Sequence, residues 1–443
     1  MKSTTPPPST GIQLWNKAKT IIPGGGQLLS KRVERFLPDL WPAYYQRAKG
    51  CEVWDLDGRH YFDFAQMGVG SCILGYADDD VNAAVVQCVQ NGSMCTLNSP
   101  EEVAFAERLI GLHPWADMAR FARCGGEACA IAVRIARAAT GRDGVAFCGY
   151  HGWNDWYLAA NLGDNQALDG QLMPGLQPAG VPRSLRGTAL PFNFNDLPSL
   201  ERWASTHAGS IGVIIMEPER GSAPAPGFLE GVRAIATRIG AVLIFDEVTS
   251  GFRVNLGGIH RTLGVEPDLA VFGKGMSNGF PLAAVIGRRK VMEAAQDTFI
   301  SSTYWTERVG FTAGLAAIDK MERCDVQRHL CAHGNHIITG LRELAARHGV
   351  PLAISGIPPL VYVAFQTGAP LEAQTFWAQE MLARGYLVGG AIYTTYAYTD
   401  SIIDGFMAAC DPVFARLRQH LDRGDLAAQL QGRVIQSGFK RLT

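Results

Sequence analysis

A mainly parallel α/β sheet covered by helices, joined to a smaller α+β domain, is the fold class the sequence predicts. Three observations lead there. Between about residues 100 and 290, short apolar runs alternate with segments of helical period. Those runs are rich in β-branched residues and lack polar alternation, as strands buried on both faces do. After about residue 325 the pattern changes to longer helices with a few strands.

The elements follow in chain order. MKSTTPPPSTG reads as a floppy arm ending near Ile12, without the apolar stretch of a signal peptide. VWDLDGRHYFDF (53–64) alternates across Asp57-Gly58, a hairpin signal. Strands are expected at 145–148, 211–216, 241–245, 269–272 and 283–286. A helix over 127–139 carries Ala128, Ile131, Ala132, Ile135 and Ala136 on one stripe. Another, 229–239, is closed by Gly240. Later helices are expected at 326–347, 373–384 and 411–422, with a strand at 360–365. The division this implies is an arm and hairpin (1–75) packing with the small domain, a large domain (76–325) and a C-terminal α+β domain (326–443).

Composition excludes some functions. The net charge of −1 leaves no electrostatic footprint for nucleic acid. No apolar run approaches the ~18–20 residues of a membrane span. The ten cysteines are scattered, with no CxxC pair, and read as reduced thiols of a cytoplasmic protein. No metal ligand set is expected.

In open α/β sheets the chemistry lies just beyond the carboxyl ends of the strands. Those positions hold Gly149-Tyr150-His151-Gly152, Glu217-Pro218, Asp246-Glu247-Val248 and Gly273-Lys274-Gly275. Lys274 ends an apolar strand between two glycines, an unusual place for a lysine. A dinucleotide fingerprint fails there because Asn278 stands where its third glycine belongs. A P-loop fails because Asp268 and Gly275 stand where it needs Gly and Ser or Thr. A lysine snorkelling to the surface is the structural alternative. The chemical reading is a desolvated amine that attacks carbonyls to form a Schiff base.

Pyridoxal phosphate is the commonest cofactor that needs such a lysine, and it makes further demands. An acid must keep its pyridine nitrogen protonated, and Asp246 is placed for that, although an Asp after a strand also caps turns. Its phosphate needs N–H groups at a helix start, where Cys124-Gly125-Gly126-Glu127-Ala128 stands. Its ring needs flat partners, for which Tyr150 and Val248 are available. Ser302-Thr303, in a polar break between apolar segments, offers hydroxyls to the phosphate.

With these residues in place, the chain resembles the class III (omega-amino acid type) aminotransferases of the fold-type I pyridoxal-phosphate enzymes. Within them it resembles the branch containing glutamate-1-semialdehyde 2,1-aminomutase. The strongest block runs from LIFDEVTSGFRV to GVEPDLAVFGKGMSNGFPLAAVIGRR (243–289). GGEACAIAVRIARAATGRD, GYHGW, IPGGG and CEVWDLDGRHYFDF support it. The resemblance spans about residues 20 to 420 and implies a seven-stranded sheet in the large domain.

It further implies Lys274 as the Schiff-base lysine and Asp246 as the ring-nitrogen partner. Tyr150 is then the stacking residue, Gly125 and Gly126 are phosphate ligands, and Glu217 lines the site. Thr303 matches a threonine that reaches the neighbouring subunit's cofactor, which implies a homodimer with shared sites. Two departures stand out. Cys124 replaces the usual Ser or Thr before the phosphate glycines, and Tyr304-Trp305-Thr306-Glu307 replaces an aromatic-x-Gly-Asn stretch that faces the pocket.

The implied reaction moves an amino group from a small-molecule donor to a keto or aldehyde acceptor. An intramolecular aminomutase is the alternative, since it uses the same residues. Arg32 follows IPGGG near a carboxylate-binding arginine of the aminomutases, and equally reads as a surface arginine. Trp153, Trp156, Tyr304, Trp305, Tyr393 and Tyr396 are available for an aromatic pocket wall or for the core. A nucleotide-binding oxidoreductase and a catalytically silent relative are the other classes weighed. The failed glycine pattern disfavours the first, and intact Lys274 and Asp246 the second.

Overall fold

A computed structural model describes residues 9–219 and 221–439. Most of the expected N-terminal arm, residues 1–8, lies outside these. From Thr10 the chain is helical, two residues earlier than expected. Ser9 Oγ accepts the Ile12 N–H (3.4 Å), and Ile12, Trp15 and Ala18 bury one face of the helix Thr10–Ile21.

The strands in chain order are β1 (Tyr45–Lys49), β2 (Glu52–Asp55), β3 (His60–Phe64), β4 (Met118–Ala122), β5 (Gly144–Cys148), β6 (Ala189–Pro191) and β7 (Ile211–Met216). There follow β8 (Val242–Asp246), β9 (Leu269–Phe272), β10 (Ala283–Gly287), β11 (Leu352–Ile357), β12 (Leu360–Phe365), β13 (Tyr386–Val388) and β14 (Ala391–Tyr393). The chain forms two compact units, one of residues 1–78 with 329–443 and one of residues 79–328.

The second unit holds a seven-stranded sheet of order β4-β10-β9-β8-β7-β5-β6. Strands β6, β5, β7, β8 and β9 run parallel, in register such as Met216 opposite Phe245 and Asp246 opposite Val271. Each buried strand feeds two cores. Val145, Phe147, Val213, Ile215, Ile244 and Val271 pack on one face with Ala128, Ile131, Ala132 and Ile135 of the helix Gly125–Thr140. Ala146, Ile214, Met216, Leu243 and Phe245 pack on the other with Leu229, Val232 and Ala236 of the helix Phe228–Ile239. Helices on both faces explain why the strand sequences show no polar alternation.

Strand β10 runs antiparallel to both β9 and β4. The connection from Phe272 to Ala283 is too short for the crossover that a parallel neighbour requires. Lys274 sits at the start of that connection.

In the first unit, β1, β2 and β3 form an antiparallel meander whose β2–β3 turn contains Asp57-Gly58. Strand β13 adds parallel to β3, Phe62 opposite Tyr386, so the two ends of the chain share one sheet. A second sheet has the order β11-β12-β14. The helix expected at 411–422 instead spans Asp400–Arg423 and carries Pro412 inside it. Proline removes one N–H from the helical ladder. A continuous buried stripe of Ile403, Phe406, Cys410, Val413, Phe414 and Leu417 carries the helix through. Phe406 stacks on Phe64 with centroids 4.0 Å apart.

Candidate active site

Because β5, β7, β8 and β9 are parallel, their carboxyl ends meet at one edge of the sheet. Tyr150 follows β5, Glu217 follows β7, Asp246 is the last residue of β8, and Lys274 follows β9. Asp246 was expected just beyond its strand. It lies within it because Asp246 still pairs with Val271.

Lys274 is half-buried and holds φ at 46°, left-handed backbone that a residue with a Cβ adopts at a cost of about 1–3 kcal/mol. Its Nζ donates to Thr249 Oγ1 at 2.8 Å. Thr249 is buried in the turn after β8, and its carbonyl accepts from the buried Arg253 Nε (2.6 Å). The lysine amine is thus held over the end of the strand that carries Asp246.

Asp246 is buried, and both oxygens of its carboxylate are engaged. Oδ1 accepts the Val248 N–H (3.0 Å), while Oδ2 meets His151 Nδ1 (2.8 Å) and the Cys129 thiol (3.3 Å). Burial opposes its ionisation. The hydrogen bond and charge of His151, with the Val248 and Cys129 donors, outweigh that and hold its pKa below the ordinary aspartate value. The carboxylate is therefore the stable form at neutral pH.

The helix Gly125–Thr140 begins beside this acid. Glu127 Oε2 accepts the N–H groups of Arg123 and Cys124, both at 3.0 Å. The next N–H groups, those of Gly125 and Gly126, head a helix and have no intrahelical partner. A Cβ on Gly125 would lie 2.7 Å from Val248 Cγ1, so only glycine fits where the two segments touch. Asn154 Nδ2 donates to the Gly126 carbonyl (2.9 Å) and ties the loop after β5 to this helix start.

That loop is itself constrained. Gly149 has φ 108°, and a Cβ there would meet Glu217 Oε2 at 2.6 Å. Glu217 Oε2 accepts the Tyr150 N–H (3.1 Å), Gln171 Oε1 accepts the Gly149 N–H (2.7 Å), and Tyr157 donates to the Gly149 carbonyl (2.9 Å). Glu217 is buried, and through this bond it positions Tyr150.

Behind the edge lies a buried polar cluster. Glu247 accepts from Ser250 Oγ (2.7 Å), the Ile259 N–H (3.0 Å), the His260 N–H (2.9 Å) and His260 Nδ1 (2.7 Å). Trp115 Nε1 donates to His260 Nε2 (2.9 Å), which leaves the imidazole proton on Nδ1, facing the carboxylate. His113 Nε2 accepts the Gly258 N–H (2.9 Å). The cluster closes the segment 247–260, and so fixes Val248 and Thr249.

Removing the carboxylate would strand those donors, so Glu247→Ala is expected to destabilise the fold by about 3–5 kcal/mol. Urea unfolding checks it, and a loss under about 1 kcal/mol would mean that the segment does not depend on Glu247. Acid should do the same in two stages. Burial pushes the His113 pKa down from 6.5 to about 4. Burial opposes Glu247 ionisation, but the His260 and Ser250 bonds hold its pKa below 4.5. At both groups the unfolded chain takes up protons first. Stability is therefore full above 6.5 and falls as pH drops, through His113 toward 4 and then through Glu247. Unfolding midpoints at pH 7 and pH 5 measure the first stage, and His113→Gln should reduce that difference.

The other anticipated residues are placed as follows. Thr303 opens a short turn, Thr303–Thr306, and is exposed. Arg123 holds this turn, its Nε donating to the Tyr304 carbonyl (2.6 Å), and Arg120 donates to the Ile300 carbonyl. Trp153 and Tyr304 are 72% and 68% exposed, whereas Trp305 packs on the core and Trp156 is buried. In the other unit Arg32 is half-buried with its guanidinium 5.8 Å from the Phe439 ring, and Tyr393 is buried at the end of β14. His151, Cys129, Thr249 and Glu247 were not singled out from sequence. The strand-end rule that picked Tyr150 and Asp246 would also have picked their neighbours His151 and Glu247. Cys129, one turn inside a helix, gave no such signal.

The chain has relatives among known proteins. The Aminotransferase class-III family profile matches residues 38–391. A 3-aminobutyryl-CoA aminotransferase of Cloacimonas acidaminovorans is 32% identical over 363 residues, 80% of this chain and 83% of that protein. A glutamate-1-semialdehyde 2,1-aminomutase of Desulfovibrio desulfuricans is 35% identical over 349 residues, 77% and 80% of the two chains. The FumI protein of Sphingopyxis sp. MTA144, solved in its PLP internal aldimine form, superposes with a TM-score of 0.84. It is 28% identical, covering 95% of this chain and 97% of that one. With its fold-type I sheet and a lysine and an acid at one strand edge, the chain belongs to the class III aminotransferases and is a pyridoxal-phosphate-dependent transaminase.

Proposed function

We propose that Lys274, Asp246 and the glycine-led helix are the working parts of this transaminase. The observation that carries the reading is the Lys274 amine on Thr249, in the same turn whose Val248 N–H binds Asp246 and whose Val248 side chain abuts Gly125. An amine, an ionised acid and open helix N–H groups are thereby gathered at one edge. They match the aldehyde, pyridine nitrogen and phosphate of the cofactor. The contact at Gly125, where a Cβ would clash with Val248, holds the helix start against the turn after β8.

The cofactor, when bound, supplies an electron sink for the carbon that bears the amino group. The side chains do the rest. Lys274 would hold the cofactor covalently through its amine. Its amine would also take the proton from the donor's Cα and return one, as base and then acid. Asp246 keeps the proton on the ring nitrogen. Gly125 and Gly126 would bind the phosphate through their N–H groups. Tyr150, steadied by Glu217, and Val248 would flank the ring.

Trp153, Tyr304 and Trp305, in the unit that carries Lys274, are assigned to the pocket wall. The two relatives' names carry different substrates, and neither is transferred to this chain. Mass spectrometry of purified enzyme with panels of amino donors and keto or aldehyde acceptors would identify its own. A substrate isomerised with no second partner would instead favour the aminomutase alternative. The cytoplasm is the compartment we assign, on ten unpaired cysteines.

The enzyme is a homodimer with shared sites in this reading. Support comes from Thr303, whose hydroxyl has no hydrogen-bond partner among the described residues. It also comes from exposed apolar side chains in the same unit, among them Val86, Val89, Leu97, Val103, Phe299 and Tyr304. A two-fold interface buries the same patch on both chains and forms each shared site twice. Mixing inactive Lys274→Ala chains with inactive Thr303→Glu chains should restore activity after subunit exchange, because each mixed dimer holds one site free of both changes. If exchange is verified by mass and no activity returns, the shared-site arrangement is wrong.

A further inference from the structure

We infer that Cys129 is a positioning residue for Asp246, its thiol closing Oδ2 so that Oδ1 is the oxygen left to receive a pyridine N–H. This rests on the reading of Asp246 as the ring-nitrogen partner. Cys129 is buried on the helix Gly125–Thr140, and its Sγ donates to Asp246 Oδ2 at 3.3 Å. His151 Nδ1 occupies the same oxygen at 2.8 Å. A carboxylate oxygen has two lone pairs, so Oδ2 is saturated. Among the described residues Oδ1 accepts the Val248 N–H alone (3.0 Å), which leaves it one lone pair. The acid is therefore directional: its free acceptor site is on one oxygen, set by donors from the loop after β5, the turn after β8 and the helix.

The thiol is suited to this task. Burial, and then the charge of Asp246, push its pKa well above the ordinary thiol value, so it remains an S–H donor through the neutral range. Cys129 also lies four residues after Gly125, hence on the same helix face one turn deeper. One rigid helix thus carries both the open N–H groups and a clamp on the acid. A shift of the helix start would move the clamp with it, coupling the phosphate end of the site to the nitrogen end.

The test uses Cys129→Ala, which removes the donor, and Cys129→Ser, which keeps one. Cys129→Ala should lower kcat by about fivefold, the scale of one lost hydrogen bond, with KM within about twofold, and Cys129→Ser should recover most of the loss. Equal melting temperatures of the two variants would separate this from packing. The S–H infrared band supplies a readout without turnover. In cofactor-free wild type, a band shifted down from the free-thiol position should vanish in both Cys129 variants and move up in Asp246→Asn. A band at the free-thiol position that ignores Asp246→Asn would overturn the inference, and so would Cys129→Ala with native kcat and native cofactor affinity. If Asp246→Asn itself keeps native kcat and spectrum, the reading beneath has failed and the inference fails with it. If Asp246→Asn is impaired while Cys129→Ala is silent, the inference about Cys129 alone has failed.

Discussion

Lys274→Ala is expected to lower turnover by at least about 10⁴-fold, the upper range for loss of a positioned acid–base group, while the protein still binds its cofactor without a covalent bond. The reason is local. Lys274 stands two residues past the end of β9, its backbone is held at φ 46°, and its amine rests 2.8 Å from Thr249 Oγ1 over the end of β8. The residues at the neighbouring strand ends, Tyr150, Glu217 and Asp246, carry no amine. Wild-type protein should show a visible absorbance that borohydride abolishes, with the cofactor fixed to the peptide that contains Lys274. The alanine variant should bind cofactor reversibly on dialysis. A label on a different lysine would refute the assignment, as would an alanine variant with turnover within tenfold of wild type.

Asp246→Asn is the second change with a large expected effect. It preserves shape and removes the charge that holds a proton on the ring nitrogen. Because that charge acts mainly when negative charge develops at the substrate carbon, kcat should fall by about 10²–10³-fold, with cofactor affinity changed far less. Two features make the site sensitive. The acid is buried, so its field is poorly screened, and its pKa is held low by donors that cannot follow a neutral amide equally well. His151 Nδ1 and the Cys129 thiol would face an amide where they now face a carboxylate. Steady-state kinetics beside cofactor titration separate the two effects. An asparagine variant with near-native kcat would recast Asp246 as a turn cap, which its bond to the Val248 N–H also allows.

Much of the fold was legible because it depends on short-range periodicity. The strands 211–216, 269–272 and 360–365 were read from apolar runs bounded by turns, and the sheet strands form at those residues. The helix after Gly125 and the Asp57-Gly58 turn follow from local chemistry in the same way. Lys274 drew attention for a comparable reason: a lysine between glycines at the end of a buried strand is improbable unless chemistry requires it.

Other features depend on contacts between residues far apart in the chain. The reversal of β10 comes from the length of one connection, a constraint that apolar patterning does not report. The helix Asp400–Arg423 passes through Pro412 because its buried stripe outweighs one lost hydrogen bond, whereas local propensity alone places a break there. Tyr393 is buried at the end of its strand, and no feature of its own sequence separates a wall residue from a core residue. Asp246 gains His151, Cys129 and Val248 as partners only when three segments fold together. Sequence patterning thus dictates which segments become strands and helices and which residue types stand at strand ends, because backbone geometry and burial act within a few residues. Packing dictates which of those residues touch, because hydrogen bonds and desolvation act through space regardless of separation along the chain.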